Sequence, residues 1–238
     1  MPFHIDEAML RTMVDAFDIA LDRSRVAVGE DGEPVALANL AVRGDRGWIG
    51  GIGVVVKARR HGIGRQLMES VLADAPDEVW LEVIEENAPA IALYEQLGFE
   101  RTRMLEVWSL TGDAPASTAR PASFDEAHAA IVELRRDRPP WQRDDESLSP
   151  DLDGLVVEGG AAVFRAQGGQ VNVLQLEARD EHAAGELLAG ALASGSALSF
   201  VNVPEGDPAS AALARLGGTL RLRQFEMVLR SRSSVTTG

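Results

Sequence analysis

In a chain of net charge −14, residues 57–65 carry Lys57, Arg59, Arg60 and Arg65 with no acid among them, a local +4. Gly62 and Gly64 lie within the same stretch. Concentrated positive charge around glycines is suited to holding a small polyanion. The neighbouring elements say how. Ile49 to Val56 is an apolar run that reads as a strand, and Arg65 to Ala73 places Leu67, Met68, Val71 and Leu72 at helical spacing. A glycine turn between strand and helix leaves backbone N–H groups unpaired, and the helix dipole adds positive potential there. Without a Cβ, Gly62 and Gly64 let an anion approach the backbone closely. A plain glycine turn would carry the same residues. Neither the phosphate-loop spacing Gly-x-x-x-x-Gly-Lys-Ser/Thr nor the dinucleotide spacing Gly-x-Gly-x-x-Gly occurs here.

A second pattern lies downstream. Trp80-Leu81-Glu82-Val83 reads as a buried strand and Ile84-Glu85-Glu86-Asn87 as a loop. The helical run Ala88 to Leu97 follows, with Pro89 in its first turn and Gly98 at its C′ position. The run Asn87-Ala88-Pro89-Ala90-Ile91-Ala92-Leu93-Tyr94-Glu95-Gln96-Leu97-Gly98-Phe99 resembles the Asn-x-x-Ala-x-x-Leu-Tyr-x-x-x-Gly-Phe segment of the GCN5-related N-acetyltransferases (GNAT). The loop Arg59 to Gly64 resembles that family's Arg-x-x-Gly-x-Gly pyrophosphate loop. With Glu82 in the preceding strand, the resemblance is strongest to the branch that acetylates ribosomal-protein N-termini, and it covers roughly residues 20–110.

The resemblance implies an N-acetyltransferase that moves an acetyl group from acetyl-CoA to a primary amine by direct attack. Ile52, Gly53 and Val54 fall where the family's fourth strand pairs its backbone with the pantetheine arm. Arg59, Arg60, His61, Gly62, Ile63, Gly64 and Arg65 would cradle the pyrophosphate, and Asn87 would hydrogen-bond the cofactor. Tyr94 is the only tyrosine; with a reference pKa of ~10 it stays protonated and would serve the departing thiolate. Glu82 would act as general base on the incoming ammonium, directly or through water. Each residue also has a plainer use. Gly50, Gly51 and Gly53 would suit a strand crowded by Trp48 or Trp80 as well as a bulge or a ligand's approach. Tyr94 would suit core packing, and Glu82 a solvated strand end. Glu85 and Glu86 would favour a cationic amine, or merely solvate the loop.

Composition narrows the classes. No run of ~18 apolar residues is present, so no membrane span is expected. Met1 to Asp6 lacks the regions of a secretory signal. Zero cysteines and four scattered histidines predict no disulfide, no thiol nucleophile and no metal site. They fit a cytoplasmic protein, and one lysine against 22 arginines fits a GC-rich bacterial genome. Both halves are acidic, −8 over residues 1–110 and −6 beyond, which argues against nucleic-acid and anionic-membrane partners. The expected partner is an amine acceptor, a peptide N-terminus, a lysine or a small amine, with the protein a monomer or homodimer.

The second half repeats the first. Phe200 to Ala209 lies 119 positions beyond Leu81 to Ala90, Leu216-Gly217 matches Leu97-Gly98, and Val171 to Leu176 matches Ile49 to Val54. Gly185 to Ala193 matches Arg65 to Ala73. In the copy, Glu177 to Ala184 lacks both loop glycines, Leu213 stands for Tyr94 and Gly206 for Asn87. The expectation is an α/β (α+β) tandem GNAT-like acyl-CoA N-acyltransferase fold, with a mixed central sheet flanked by helices in each copy. Residues 1–110 would form the acetyl-CoA-binding domain, 111–122 a linker, and 123–238 a degenerate copy without a cofactor site. Domain one leaves no room for the family's usual first strand. Trp141-Gln142-Arg143-Asp144 reads as packing, or as an acceptor or interface element. The rival class is a non-catalytic acyl-CoA-binding or scaffold protein on the same fold.

Overall fold

The computed structural model describes residues 7–230; Met1 to Asp6, read above for a signal, lie outside them. The chain divides into two compact units, Met1–Thr102 with Phe225–Gly238, and Arg103–Gln224.

Unit 1 contains α1 (Glu7–Phe17), β1 (Arg25–Val28), β2 (Pro34–Arg43), β3 (Arg46–Val54), α2 (Ile63–Leu72), β4 (Glu78–Ile84), α3 (Ala88–Gln96) and the first residues of β5 (Glu100–Thr111). Its strands lie in the order β1-β2-β3-β4, with the end of the last strand of the chain beyond β4. β1, β2 and β3 are antiparallel neighbours. β3 and β4 run parallel, which their connection through α2 permits, but they pair only from Arg46↔Glu78 to Ile49↔Leu81. Beyond those residues the strands part.

The cause lies in the β2/β3 register. Leu40 pairs with Ile49 and Asn39 with Gly51, so Gly50 is left as a bulge residue that bends β3. Side chains alternate across the sheet, and the bulge resets that alternation. Ile49 before it, and Ile52 and Val54 after it, therefore all face the core with Leu67, Met68 and Val71 of α2 and Ile91 and Tyr94 of α3. α2 begins two residues before the spacing predicts and β3 ends two residues sooner, which shifts the turn between them without changing its length of eight residues.

Unit 2 continues β5 and adds β6 (Arg120–Ala122), α4 (Phe124–Leu134), β7 (Asp153–Val157), β8 (Gly160–Gln167), β9 (Gln170–Ala178), α5 (Glu181–Leu192), β10 (Ala197–Pro204), α6 (Pro208–Arg215) and β11 (Thr219–Arg230) as far as Gln224. The strand order is β5-β10-β9-β8-β7-β6. β9 and β10 pair in parallel, from Gln170↔Ala197 to Val173↔Phe200. A bulge recurs at the equivalent place: Phe164 pairs with Val173 and Val163 with Gln175, leaving Leu174 over. The bulges put Leu174 against Gly50, an offset of 124. The sequence match of Val171 with Ile49 is thus two residues out of step.

Two further findings depart from the linear reading. Phe225–Arg230 belongs with unit 1, where Met227 is fully buried among the residues of α2, β4 and α3. Residues 177–178 and 181–184 are strand and helix, so only Arg179 and Asp180 connect β9 to α5, against eight residues between β3 and α2. Trp141, in a 3-10 turn at Trp141–Arg143, is 1% exposed and packs inside unit 2.

Candidate active site

A groove of about 790 Å³ opens in unit 1 where β3 leaves β4. Ile52, Gly53 and Val54 of β3 line one side, and Arg59, Arg60, Gly62, Ile63, Gly64 and Arg65 form its end. Asn87, Pro89, Ala90, Leu93 and Tyr94 supply the other side. Of the residues singled out from sequence, His61 and Glu82 are not in this lining. Pro89 and the motif residues Ala90 and Leu93 make part of the lining apolar, and Val56 and Ala58 extend that surface where no motif indicated it.

The glycines divide between the two sequence readings. A Cβ on Gly50 would lie 2.5 Å from the Trp48 ring, so this position is crowded. Added to Gly51 or Gly53, a Cβ would meet nothing within 4 Å, so the bent strand leaves open space there. At the groove's end the chain takes two left-handed turns, at Arg60 (φ 66°) and Gly62 (φ 78°). The first costs a non-glycine residue roughly 1–2 kcal/mol, and the second is what glycine supplies freely. Gly62 is the N-cap of α2 and offers no side-chain cap, so the first-turn N–H groups of α2 have no carboxylate or hydroxyl of their own.

The basic residues are not equivalent. Lys57 pairs with Asp31 at 3.6 Å and Arg65 with Glu69 at 3.4 Å. The Arg59 Nε donates to the Val54 carbonyl at 3.0 Å and ties the loop to the end of β3. The Asn87 Oδ1 caps α3 by accepting the Ala90 N–H at 3.4 Å, leaving its amide N–H groups out of that contact.

Tyr94 is buried, its ring tilted against Phe99 at 6.0 Å. Burial pushes the phenol up to about 12, because the phenolate would lose its water. Glu82 lies across the sheet. Leu81 and Val83 face the core shared with α2 and α3, and alternation turns Glu82 to the opposite face. There its Oε2 accepts the Trp48 indole N–H at 2.7 Å. Phe17, the last residue of α1, meets the Trp48 ring edge-on at 5.9 Å. Sequence reasoning named Trp48 as a ring that could crowd the glycines, which holds at Gly50, but did not link it to Glu82.

In unit 2 the gap between β9 and β10 holds a side chain of the chain itself. Arg143 is 3% exposed, and its guanidinium donates to Gln175 Oε1 at 2.7 and 3.1 Å and to the Asn202 carbonyl at 2.8 Å. It also lies 4.4 Å from the centre of the Phe200 ring. Burial lowers this arginine to about 10. The Asp180 carboxylate caps α5 through the Ala183 N–H at 2.9 Å, and Asp207 caps α6 through the Ala209 N–H at 2.8 Å. Leu213 is fully buried.

Among the described residues no group of three or more histidine, aspartate or glutamate side chains converges as a metal site would, and no helix is long and apolar enough to cross a membrane.

Residues 3–99 match the Acetyltransferase (GNAT) family. Over 81 residues the chain is 35% identical to an N-alpha-acetyltransferase of Saccharolobus solfataricus, covering 32% of this chain and 48% of that protein. Over 88 residues it is 34% identical to the ribosomal protein bS18-alanine N-acetyltransferase of Escherichia coli, covering 35% of this chain and 60% of the other. The chain thus spans about half the length of these curated relatives. A solved tandem GNAT protein from the clavulanic acid biosynthesis pathway aligns over 98% of this chain and 91% of its own, with TM-score 0.63 and 16% identity. A GCN5-related N-acetyltransferase from Sphaerobacter thermophilus aligns over 87% and 80%, with TM-score 0.67 and 19% identity. Such identities speak for the fold alone. Residues 3–99 thus match the Acetyltransferase (GNAT) family, and the chain's fold resembles that of a solved tandem GNAT protein.

Proposed function

We propose that unit 1 transfers an acetyl group from acetyl-CoA to a primary amine, and that unit 2 binds no acetyl-CoA. The observation that carries this reading is the groove itself. It gathers an uncapped helix start, the Arg59 and Arg60 side chains, an open strand edge and a buried phenol along one path. The residues fit the group in three respects. Its pyrophosphate suits the N–H groups of α2 with Arg59 and Arg60 beside them. Its arm suits the space beside Gly51 and Gly53, which a Cβ would intrude upon. A groove of about 790 Å³ is of the size that holds a ligand this large. Bound there, acetyl-CoA supplies a thioester open to attack.

Tyr94 holds its proton throughout the working pH range, since burial places the phenol at about 12. An ordinary thiol ionises near 8.5, so complete transfer from this phenol to a thiolate is uphill by roughly 5 kcal/mol. The economical role for Tyr94 is thus a hydrogen bond donated to sulfur as its charge develops, with the proton following from solvent. Glu82 accepts the proton that the attacking ammonium must lose.

The acceptor we favour is a peptide α-amine. At pH 7 an α-ammonium of pKa ~7.7–8 yields its proton for roughly 1 kcal/mol, whereas a lysine near 10.4 demands roughly 4.6. A carboxylate base meets the first cost easily. The two relatives described above carry N-terminal acceptors in their names, which supports the same choice. The cytoplasm is the proposed place of work.

Calorimetric titration of acetyl-CoA tests the reading. We expect micromolar binding at one site per chain, lost in a folded Gly62→Glu, Gly64→Glu variant, with acetyl transfer to peptides ending in a free amine. Binding without turnover over a broad amine panel would leave the non-catalytic acyl-CoA-binding protein as the answer. Two sites per chain would overturn the silence of unit 2.

A further inference from the structure

Trp48, Trp80 and Trp108 each donate an indole N–H to a glutamate. Trp80 donates to Glu78 at 2.7 Å and Trp108 to Glu106 at 2.8 Å, each pair two residues apart on one strand. Both carboxylates also meet an arginine, Arg230 at 3.0 Å and Arg223 at 3.8 Å respectively. These are local strand contacts. The third pair is built differently. Trp48 stands directly opposite Trp80 in the β3/β4 register, yet its N–H goes to Glu82, two positions further along β4. To reach that diagonal partner the indole leans along β3 toward the point where the strands part. The backbone it crosses is Gly50, and a Cβ there would stand 2.5 Å from the ring. The bulge glycine is therefore the seat of the indole, and Phe17 closes the ring's edge.

The corresponding positions of unit 2 reinforce the point. With the two bulges superposed in register, Asn172 stands at Trp48, Leu174 at Gly50 and Val201 at Glu82. Bulge, parallel pairing and parting strands all persist there without the indole, the glycine or the carboxylate. The fold does not require this trio.

We infer that Trp48 is a positioning residue that holds the Glu82 carboxylate at the mouth of the strand opening, with Gly50 conserving the space its ring needs. The inference rests on the reading of Glu82 as the proton acceptor. A fixed N–H at 2.7 Å selects one orientation of a side chain with three rotatable bonds.

A double-mutant cycle on acetyl transfer tests it. Trp48→Phe keeps an aromatic ring for Phe17 and removes the donor together with part of the ring's volume, while Glu82→Gln removes the base. We expect Trp48→Phe to lower kcat about tenfold, with the affinity for acetyl-CoA unchanged, and to have no effect on kcat once Glu82→Gln is present. Gly50→Ala, which displaces the ring, should reproduce the Trp48→Phe loss. If Glu82→Gln leaves kcat at the wild-type value, the reading of Glu82 as base fails. If Glu82→Gln slows transfer but Trp48→Phe does nothing, or costs the same factor in both backgrounds, Trp48 is merely structural and the inference is overturned.

Discussion

β3 and β4 part after Ile49 and Leu81, and β9 and β10 part after Val173 and Phe200, in each case beside a one-residue bulge. What the gap contains differs completely. In unit 1 it is bordered by glycines and ends at an uncapped helix. In unit 2 Arg143 fills it, Gln175 answers the guanidinium, and carboxylates of Asp180 and Asp207 cap both neighbouring helices. The parting of parallel strands is thus a property of the backbone, and ligand binding is a property of what the side chains leave empty. The Asp180 cap satisfies a helix start that unit 1 leaves open at Gly62, whereas α3 and α6 are both capped by a side chain.

The comparison would break most severely if unit 1 could stand alone. Residues 1–110 look like a whole domain in the sequence, but unit 1 includes Phe225–Arg230, with Met227 fully buried and Phe225 and Leu229 packed on the same core. Burial of such side chains stabilises by about 1.5–3 kcal/mol each, against a total stability of roughly 5–15 kcal/mol for a domain. A chain ending at Leu110 should therefore be insoluble or lack a cooperative thermal transition by circular dichroism. A sharp transition in that fragment would show the last strand to be dispensable.

A smaller effect is expected from emptying the gap in unit 2. Arg143→Met removes the guanidinium and leaves Gln175 and the Asn202 carbonyl buried without their partner. Breaking a buried polar network of this kind costs about 3–5 kcal/mol, which lowers the melting temperature by roughly 10 °C in a chain of this size. The more informative reading is stoichiometry. Acetyl-CoA should still bind once per chain, since the two-residue turn and the Asp180 cap remain. A second binding event would mean that Arg143 alone silences unit 2.

Gly62 and Gly64 sharpen the same contrast at about 1 kcal/mol. Gly62 has φ 78°, so Gly62→Ala should cost roughly 1–2 kcal/mol of stability whatever binds nearby. Gly64 sits in the first turn of α2, and a Cβ there would lie 3.7 Å from Leu93 and Val54, an ordinary contact. Packing therefore gives no reason for this glycine. Gly64→Ala should raise stability by about 0.5–1 kcal/mol through helix propensity while weakening acetyl-CoA about tenfold. Thermal melts and titration together check this opposition of sign, and unchanged affinity would remove the close-approach argument for Gly64.

Legibility in the sequence followed the range of the interaction. The loop Arg59 to Gly64 and the run Asn87 to Phe99 were readable because helix start, cap and turn chemistry are local. The tandem order was readable because each element kept its period. The step of two residues in the repeat alignment was not, since bulges at Gly50 and Leu174 are set by partner strands. The last strand's share in unit 1 was hidden for the same reason. Arg143 lies in an irregular segment with no period to interpret; packing was one reading of Trp141 to Asp144, but nothing local names Gln175 as the partner. Trp48 was legible as a ring near the glycines, but its hydrogen bond to Glu82 was not, because the two lie 34 residues apart in the chain.

Tyr94 against Leu213 is the narrowest contrast, one hydroxyl-bearing ring against an aliphatic chain in cores that both exclude water. Its prediction concerns alkaline pH. The phenol's folded value is raised to about 12 from 10, so between those values the folded state binds more protons than the unfolded chain. Stability from this group is complete below pH ~10 and is lost as pH rises toward 12, by about 2.7 kcal/mol in all. Tyr94 is the only tyrosine, so phenolate absorbance reports it without ambiguity. We expect that signal to appear near pH 12, or together with unfolding, and never near 10 in the folded protein. Tyr94→Phe should flatten the stability profile over the same window while leaving the melting temperature at pH 7 within about 1 kcal/mol of wild type. It should also slow acetyl transfer ten- to a hundredfold without changing acetyl-CoA affinity. A phenolate midpoint near 10 in the folded chain would place the hydroxyl in water, and the argument that burial keeps its proton in place would fall with it.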